Sequence, residues 1–303
     1  MKKALRTLSL FILAVLVASY TTLAYRNNQS APSPDRARIQ SAYNATVAWI
    51  SERETALLDQ SNPALWWMVQ KSAALTGDAT LTALFERYRQ KHLQGGRNIW
   101  EPLFFPNRWV PFKSEDIAHY SDYQLHFMYA ISCDSDLAQL PIIQAQLNAD
   151  YCDQYPWRPA CVTHQLMALR FMQTRQCGDA IATQTAITAL QQRIVRQLTW
   201  DPRVVDVYMQ RVLMLAESGR ADAIKAIWLE RLLNAQRPDG GWSGTETLVP
   251  LPMGASLGFS ARGFTLKPPT DDFHMTAQGL LLMSLLLDSS QAPQSSTSIS
   301  RDL

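Results

Sequence analysis

Four residues carry groups suited to proton transfer and share a place in the pattern. Asp122, His164, Asp272 and His274 each stand at or beside the start of a run rich in Leu, Met and Ala. Histidine titrates near neutral pH and a neighbouring carboxylate tunes it, so a cluster of this kind can do acid–base work. The same residues could instead cap helices and satisfy buried polar groups. The remaining histidines are His92, His119 and His126. Four cysteines are present, at 133, 152, 161 and 177. Cys152 and Cys161 flank a short loop containing Pro156 and Pro159, while Cys133 and Cys177 end stretches that look equivalent. The expected disulfides are therefore Cys152–Cys161 and Cys133–Cys177, one of three possible pairings. Cys161-x-x-His164 is a half-site for zinc, and two ligands do not make a zinc site. No metal is therefore expected, and no cofactor either: neither a Walker A nor a dinucleotide fingerprint occurs. Gly254-Ala255-Ser256-Leu257-Gly258 has the letters G-x-S-x-G. It is read as part of a loop with no strand before it, so it is not taken as a nucleophile.

The elements that must position these residues are helices. From Arg36 onward apolar residues recur at three- and four-residue spacing, the mark of amphipathic helices. Helices are expected at about 37–58, 63–76, 78–94, 115–133, 135–149, 160–176, 179–199, 202–218, 221–236 and 271–288. Gly77-Asp78, Cys177-Gly178-Asp179 and Gly219-Arg220-Ala221-Asp222 each offer a glycine for a left-handed C-cap and then an aspartate for the next N-cap. Helices joined this tightly run antiparallel, so the chain repeats a helical hairpin with a period near 40 residues. Ala277 to Leu287 is apolar nearly all round and must be covered on most sides, which suits inner helices wrapped by outer ones. The more charged stretches 78–94, 179–199 and 221–236 are the candidates for outer helices. The fold class is all-α, hairpins forming a compact or incomplete α/α toroid. Loops are expected at 95–114, 150–160 and 237–270. The first carries Trp100, Phe104, Phe105, Trp109 and Phe112.

Gln236-Arg237-Pro238-Asp239-Gly240-Gly241-Trp242 resembles the Q-x-x-x-G-x-W signature of the α/α-toroid superfamily, which includes terpenoid cyclases and protein prenyltransferases. Its logic is local: the glycines allow a tight turn, Gln236 can bond exposed backbone groups and Trp242 can cover the helix end. Asp272-Phe273-His274-x-Thr276-x-x-Gly279-Leu280 resembles the inner helix that follows such a turn in prenyltransferases. The specific match spans about 45 residues and implies fold far more than chemistry. The resemblance directs attention to two motifs. Asp134-Ser135-Asp136-Leu137 offers D-x-D without the last acid of a protonating cyclase, and is read as helix capping. Asp150-Tyr151-Cys152 has the spacing of a prenyltransferase zinc pair, with His274 as the distant histidine, but is expected in a loop. In a toroid the starts of inner helices face one mouth of the central cavity. Asp122, His164, Asp272 and His274 would gather there, with Trp242 as a nearby aromatic.

Lys2, Lys3 and Arg6 precede an apolar run from about Leu8 to Ala24, so residues 1–26 read as a signal peptide or an N-terminal membrane anchor. Residues 27–36 read as a linker, 37–288 as the helical domain and 289–303 as a disordered Ser/Gln/Thr-rich tail. The positive flank predicts a body on the periplasmic side of an inner membrane, or free in the periplasm if the signal is cleaved. Lys+Arg 28 against Asp+Glu 26, without a basic run in the body, argues against a nucleic-acid partner. Two functions remain. One is a membrane-tethered domain that binds a periplasmic small molecule, glycan or protein through its cavity mouth and aromatic loops. The other is an enzyme acting on a glycan or lipid with the carboxylate–histidine cluster.

Overall fold

A computed structural model describes residues 2–108, 110, 112–270 and 272–288. Trp109 and the tail 289–303 lie outside the described residues. An apolar N-terminal helix, α1 (Lys2–Arg26), precedes the body. The body begins with α2 (Arg36–Glu52), the short α3 (Glu54–Leu57), α4 (Pro63–Thr76) and α5 (Ala79–His92). It continues through α6 (Glu101–Phe104), α7 (Ser114–Ile117), α8 (Asp122–Ser132), α9 (Ser135–Ala138) and α10 (Pro141–Ala145). Then come α11 (Cys161–Arg175), α12 (Ala180–Trp200), α13 (Asp206–Glu217), α14 (Ala226–Asn234) and α15 (Phe273–Leu287). Between α14 and α15 lie β1 (Glu246–Pro250), β2 (Ser256–Ser260) and β3 (Gly263–Thr265), antiparallel in the order β1-β2-β3.

The protein is mostly helical rather than all-α, and the sheet corrects the expectation of a loop over 237–270. Its strands are short and punctuated by Pro250, Pro252, Gly254 and Gly263, so period-two alternation never runs long enough to be seen. A side chain at Gly258 would place its Cβ 2.1 Å from the Glu246 carbonyl oxygen, so the β1–β2 approach depends on that glycine. Ser256 of the G-x-S-x-G letters therefore opens β2 and is preceded by a strand. It is buried, donates to the Lys267 carbonyl at 3.0 Å, and is followed by strand rather than helix. The expected helix 115–133 is two helices with a break before Asp122. The expected 135–149 is two single turns separated by Pro141.

The turn chemistry holds in full at the first hairpin and in its aspartate at the second, where Gln176 rather than Gly178 is the left-handed C-cap of α11. Gly77 takes φ 69 and Asp78 caps α5 by accepting from the Thr80 and Leu81 amides. Asp179 caps α12 through Ile181 and Ala182. At the third, Asp222 sits in a 3-10 turn and Lys225 precedes α14 instead.

Helix α15 is buried along almost its whole length, from Met275 to Leu285, and packs on α4, α13 and α2. Helix α11 packs on α8, α12 and α13, and α5 lies on α4. The signature segment ties these layers together. Gln236 donates to the Ala42 carbonyl and the Gly240 carbonyl at 2.9 Å each and to Thr46 Oγ1 at 3.1 Å. Trp242 is fully buried; its indole N–H donates to the Leu232 carbonyl at 2.9 Å and its amide to Thr276 Oγ1 at 3.0 Å. Gly240 has φ 93 and a Cβ there would lie 2.2 Å from the Ala45 carbonyl oxygen, so the turn requires glycine.

Two further ties join parts of the chain distant in sequence or in charge. Asn27, the first residue of the expected linker, is fully buried. Its side-chain amide donates to the Leu198 carbonyl at 2.6 Å, and it accepts from the Tyr208 hydroxyl at 2.8 Å and, through its own carbonyl, from Trp228 Nε1 at 3.0 Å. At the α12–α13 junction Asp201 accepts from Arg203 Nε at 2.6 Å and from the deeply buried Arg211 at 2.8 Å. Burial works against the Asp201 charge, but both guanidinium groups outweigh it and hold its carboxyl below the usual range. The disulfides join Cys133 to Cys177 and Cys152 to Cys161, the pairs chosen from loop position and repeat equivalence. With the apolar N-terminal helix they point to an extracytoplasmic location.

Candidate functional site

The starts of α11, α13 and α15 meet at one end of the body. Asp272 caps α15, its Oδ1 accepting from the His274 amide at 2.8 Å. This turns the His274 ring toward α13, where Nδ1 is hydrogen bonded to Asp206 Oδ1 at 2.6 Å. Gln278, one turn further along α15, donates to Asp206 Oδ1 at 3.3 Å and lies 3.1 Å from His274 Nδ1. Its side chain is fully enclosed. Gly244 borders the group: a Cβ there would stand 2.6 Å from Asp272 Oδ2. His164, on the first turn of α11, bonds the Ala160 carbonyl at 2.7 Å and feels the charges of both His274 and Asp206.

The electrostatics divide the two histidines. Burial disfavours the His274 cation, but the hydrogen bond and charge of Asp206, then the charge of Asp272, outweigh it and raise its pKa. Burial dominates at His164; the Ala160 carbonyl and Asp206 oppose it, the His274 charge adds to it, and the pKa falls. One imidazole is thus held toward the charged form and its neighbour toward the neutral form, the separation that acid–base assignments require. The His274 side chain is 36% exposed, so its imidazole can be reached from solvent.

His164, Asp272 and His274 therefore converge. Asp122 takes a different place: its carboxylate accepts from the Tyr155 hydroxyl at 3.5 Å and its carbonyl from Gln146. Trp242 adjoins the group through the Asp272 amide, which donates to the Trp242 carbonyl at 3.1 Å. Its ring is enclosed and offers no face to a ligand, so its role here is packing. Asp206 was missed. The sequence carries two aspartates, Asp201 and Asp206, before the apolar run Val207–Ala216, and only the packing of α13 on α15 selects the second.

A larger feature lies toward the opposite ends of these helices. A cavity of about 560 Å³ is bounded by α4, α8, α11, α13 and α15, with residues 103–107 on its remaining side. Trp67, Met68, Leu103, Met167, Phe171, Leu213, Met214 and Leu281 supply apolar and aromatic wall, of the size and character of a small-molecule site. Lys71, Arg170, Arg175 and Glu217 supply charge, three positive against one negative. Lys71 Nζ is 2.5 Å from Glu217 Oε1, and Arg170 Nε is 3.6 Å from Oε2. Arg175 donates to the Pro106 carbonyl at 3.0 Å and to that of Pro102, so it fastens the 103–107 segment to the end of α11. Cys133 lines the cavity, and its disulfide fixes the end of α8 to the start of the α12 hairpin. The signal for this site was charge placed within helices otherwise read as core, Arg170 between Leu169 and Phe171 above all.

No family model, curated protein or solved structure matches this chain.

Proposed function

We propose that the protein is an exported, membrane-tethered helical domain that binds a small ligand in the cavity between its inner helices. On this reading α4, α15, α13, α11 and α8 form the inner ring of an incomplete α/α toroid, with α2, α5 and α12 outside. The order in which these helices pack supports it. The observation that carries the functional reading is the cavity itself: about 560 Å³, walled by apolar and aromatic side chains and edged by three cations against one carboxylate. Such a site suits a ligand with an apolar body and an acidic group, the acid meeting Arg170 or Lys71 and displacing part of their pairing with Glu217. The part of the 95–114 loop that reaches the cavity, Leu103 with Pro106 and Asn107, closes its side.

The test uses a dansylated long-chain carboxylic acid as probe. Its emission should rise and shift to the blue on adding the protein. Met167→Trp, which fills the cavity, should remove this response without lowering the melting temperature. An unchanged response in that variant would exclude the cavity as the site.

A second reading rests on the Asp206–His274 contact of 2.6 Å, which orients an imidazole as enzymes orient a general base. It makes the protein an enzyme of glycan or lipid chemistry at the helix-start mouth. Turnover of cell-envelope glycans or lipids by the wild type, lost in His274→Ala at unchanged stability, would select it. No turnover of either class would dismiss it.

A further inference from the structure

The three-stranded sheet leaves a row of apolar side chains exposed. Residues directly opposite in an antiparallel pair share a face, and Val249 stands opposite Leu257, and Phe259 opposite Phe264. Leu266, two residues beyond Phe264, continues that side. The face carries Val249, Leu257, Phe259, Phe264 and Leu266, with the Phe259 and Phe264 ring centroids 5.0 Å apart, and it meets the body at Glu246, which stands opposite Phe259 and accepts from the Val204 amide at 2.9 Å. Phe264 is 69% exposed, Leu266 68% and Val249 48%. Ser256 and Gly258, which alternate with Leu257 and Phe259 along β2, are buried. Neighbouring apolar side chains held out on one sheet face mark a contact surface rather than scattered surface residues. Arg262 and Lys267 sit beside it in sequence, Arg262 in the β2–β3 turn.

The position of the sheet identifies what covers that face. The window Ser9–Arg26 of α1 is long and apolar enough to cross a bilayer and is almost wholly uncovered. Near its C-terminal end the Tyr20 hydroxyl donates to the Trp200 carbonyl, and Trp200 itself is 65% exposed. The next residue, Asp201, holds Arg203, and Arg203 donates to the Ser260 carbonyl at 3.2 Å, at the β2–β3 turn. A short chain of contacts thus runs from the point where α1 meets the body to the end of the sheet that bears Phe264. Tyr20, Tyr25 and Trp200 are the residue types that settle at a bilayer interface, and Arg262 and Lys267 suit its anionic headgroups.

We infer that the β1–β3 sheet lays its outer face on the lipid surface beside α1, giving the body a second membrane contact. The inference rests on α1 being retained as a membrane tether. The full chain is reconstituted into phosphatidylcholine vesicles with 20% phosphatidylglycerol, with and without bromine on the acyl chains, which quenches tryptophan on contact. Phe264→Trp adds a reporter on the sheet. Ile181→Trp adds one at the first turn of α12, whose 21 residues carry it about 30 Å from Trp200. The emission added over wild type at 264 should fall at least about twofold on the brominated lipid, and that at 181 should not change. Equal, unquenched emission at both positions in protein that floats with the vesicles overturns the inference and leaves the tether standing. Protein that fails to float overturns the tether reading and the inference with it.

Discussion

His126 allows a quantitative test of how α8 is packed. Its side chain is completely buried, and neither ring nitrogen has a hydrogen-bond partner among the described residues. Burial pushes its pKa from 6.5 down to about 3. The sign comes from proton counting. Between those two values the unfolded chain binds the proton and the folded chain does not, so stability rises with pH across that window and is lost as pH falls below 6.5. Between pH 7.5 and pH 5 the loss comes to about 2 kcal/mol, because almost one and a half pKa units of the difference are traversed. The perturbation is His126→Leu, of similar volume and without titration. Urea unfolding of both proteins at the two pH values isolates the contribution, since all other titrating groups are common. The wild type should lose about 2 kcal/mol more than the variant on acidification. At pH 7.5 the variant should be at least as stable, because an unpaired polar ring has been removed from the interior. Equal acid sensitivity in the two proteins would refute the reasoning and mean that His126 is solvated or paired in solution.

Other substitutions test other contacts. Gly279→Ala should destabilise by about 1–3 kcal/mol in denaturant melts despite alanine's better helix propensity. Its Cβ would come within 2.7 Å of the Trp242 ring, which the indole N–H bond to the Leu232 carbonyl holds in place. Asp201→Ala leaves the Arg211 guanidinium buried without its carboxylate and should cost about 3–5 kcal/mol by the same measurement. Asp206→Asn should lower the His274 pKa in a proton NMR titration. Because the wild-type value is raised, the lost stability should appear below about pH 6.5 and vanish above the folded pKa. Replacing Cys133 and Cys177 with serine, which opens a 44-residue separation, should cost more than replacing Cys152 and Cys161, separated by 9. The chain-entropy values are about 4 and about 2.6 kcal/mol.

The helices that carry the body were legible because each has an apolar stripe and a polar stop signal. Pro63 with Gly77 around α4, and Asp179 before α12, are enough to draw those boundaries. The breaks in α8 and α10 were less so, since Ser121 and Pro141 interrupt a pattern that remains apolar on both sides. The sheet escaped because each of its strands is at most five residues long. Of the polar cluster, His164, Asp272 and His274 were recoverable from their shared place before an apolar run. Asp206 was not, because the choice between it and Asp201 depends on which helix start α15 approaches. Asp122 begins its helix in the same way and still bonds elsewhere, which shows that equivalent position in a repeat does not fix what a side chain touches. The cavity's charged residues are spread over several helices, so no local pattern announces them.

The start of the body is sewn to its later helices. Arg36 on α2 donates to the Leu287 carbonyl at the last turn of α15, and Asn27 binds residues 171 to 204 positions further along. Because a chain is synthesised from its N-terminus, the early helices must therefore wait. Helices α2 and α4 are made early, yet much of the surface they cover belongs to α15, which follows them by about 200 residues. Until then the faces they turn to α15 have no permanent partner, and contacts this distant in sequence form slowly. Folding of the N-terminal third is in this sense governed by the final helix. A chain that stops short of α15 forfeits the early helices as well as the late one, and is a natural client for chaperones that hold unfolded chains.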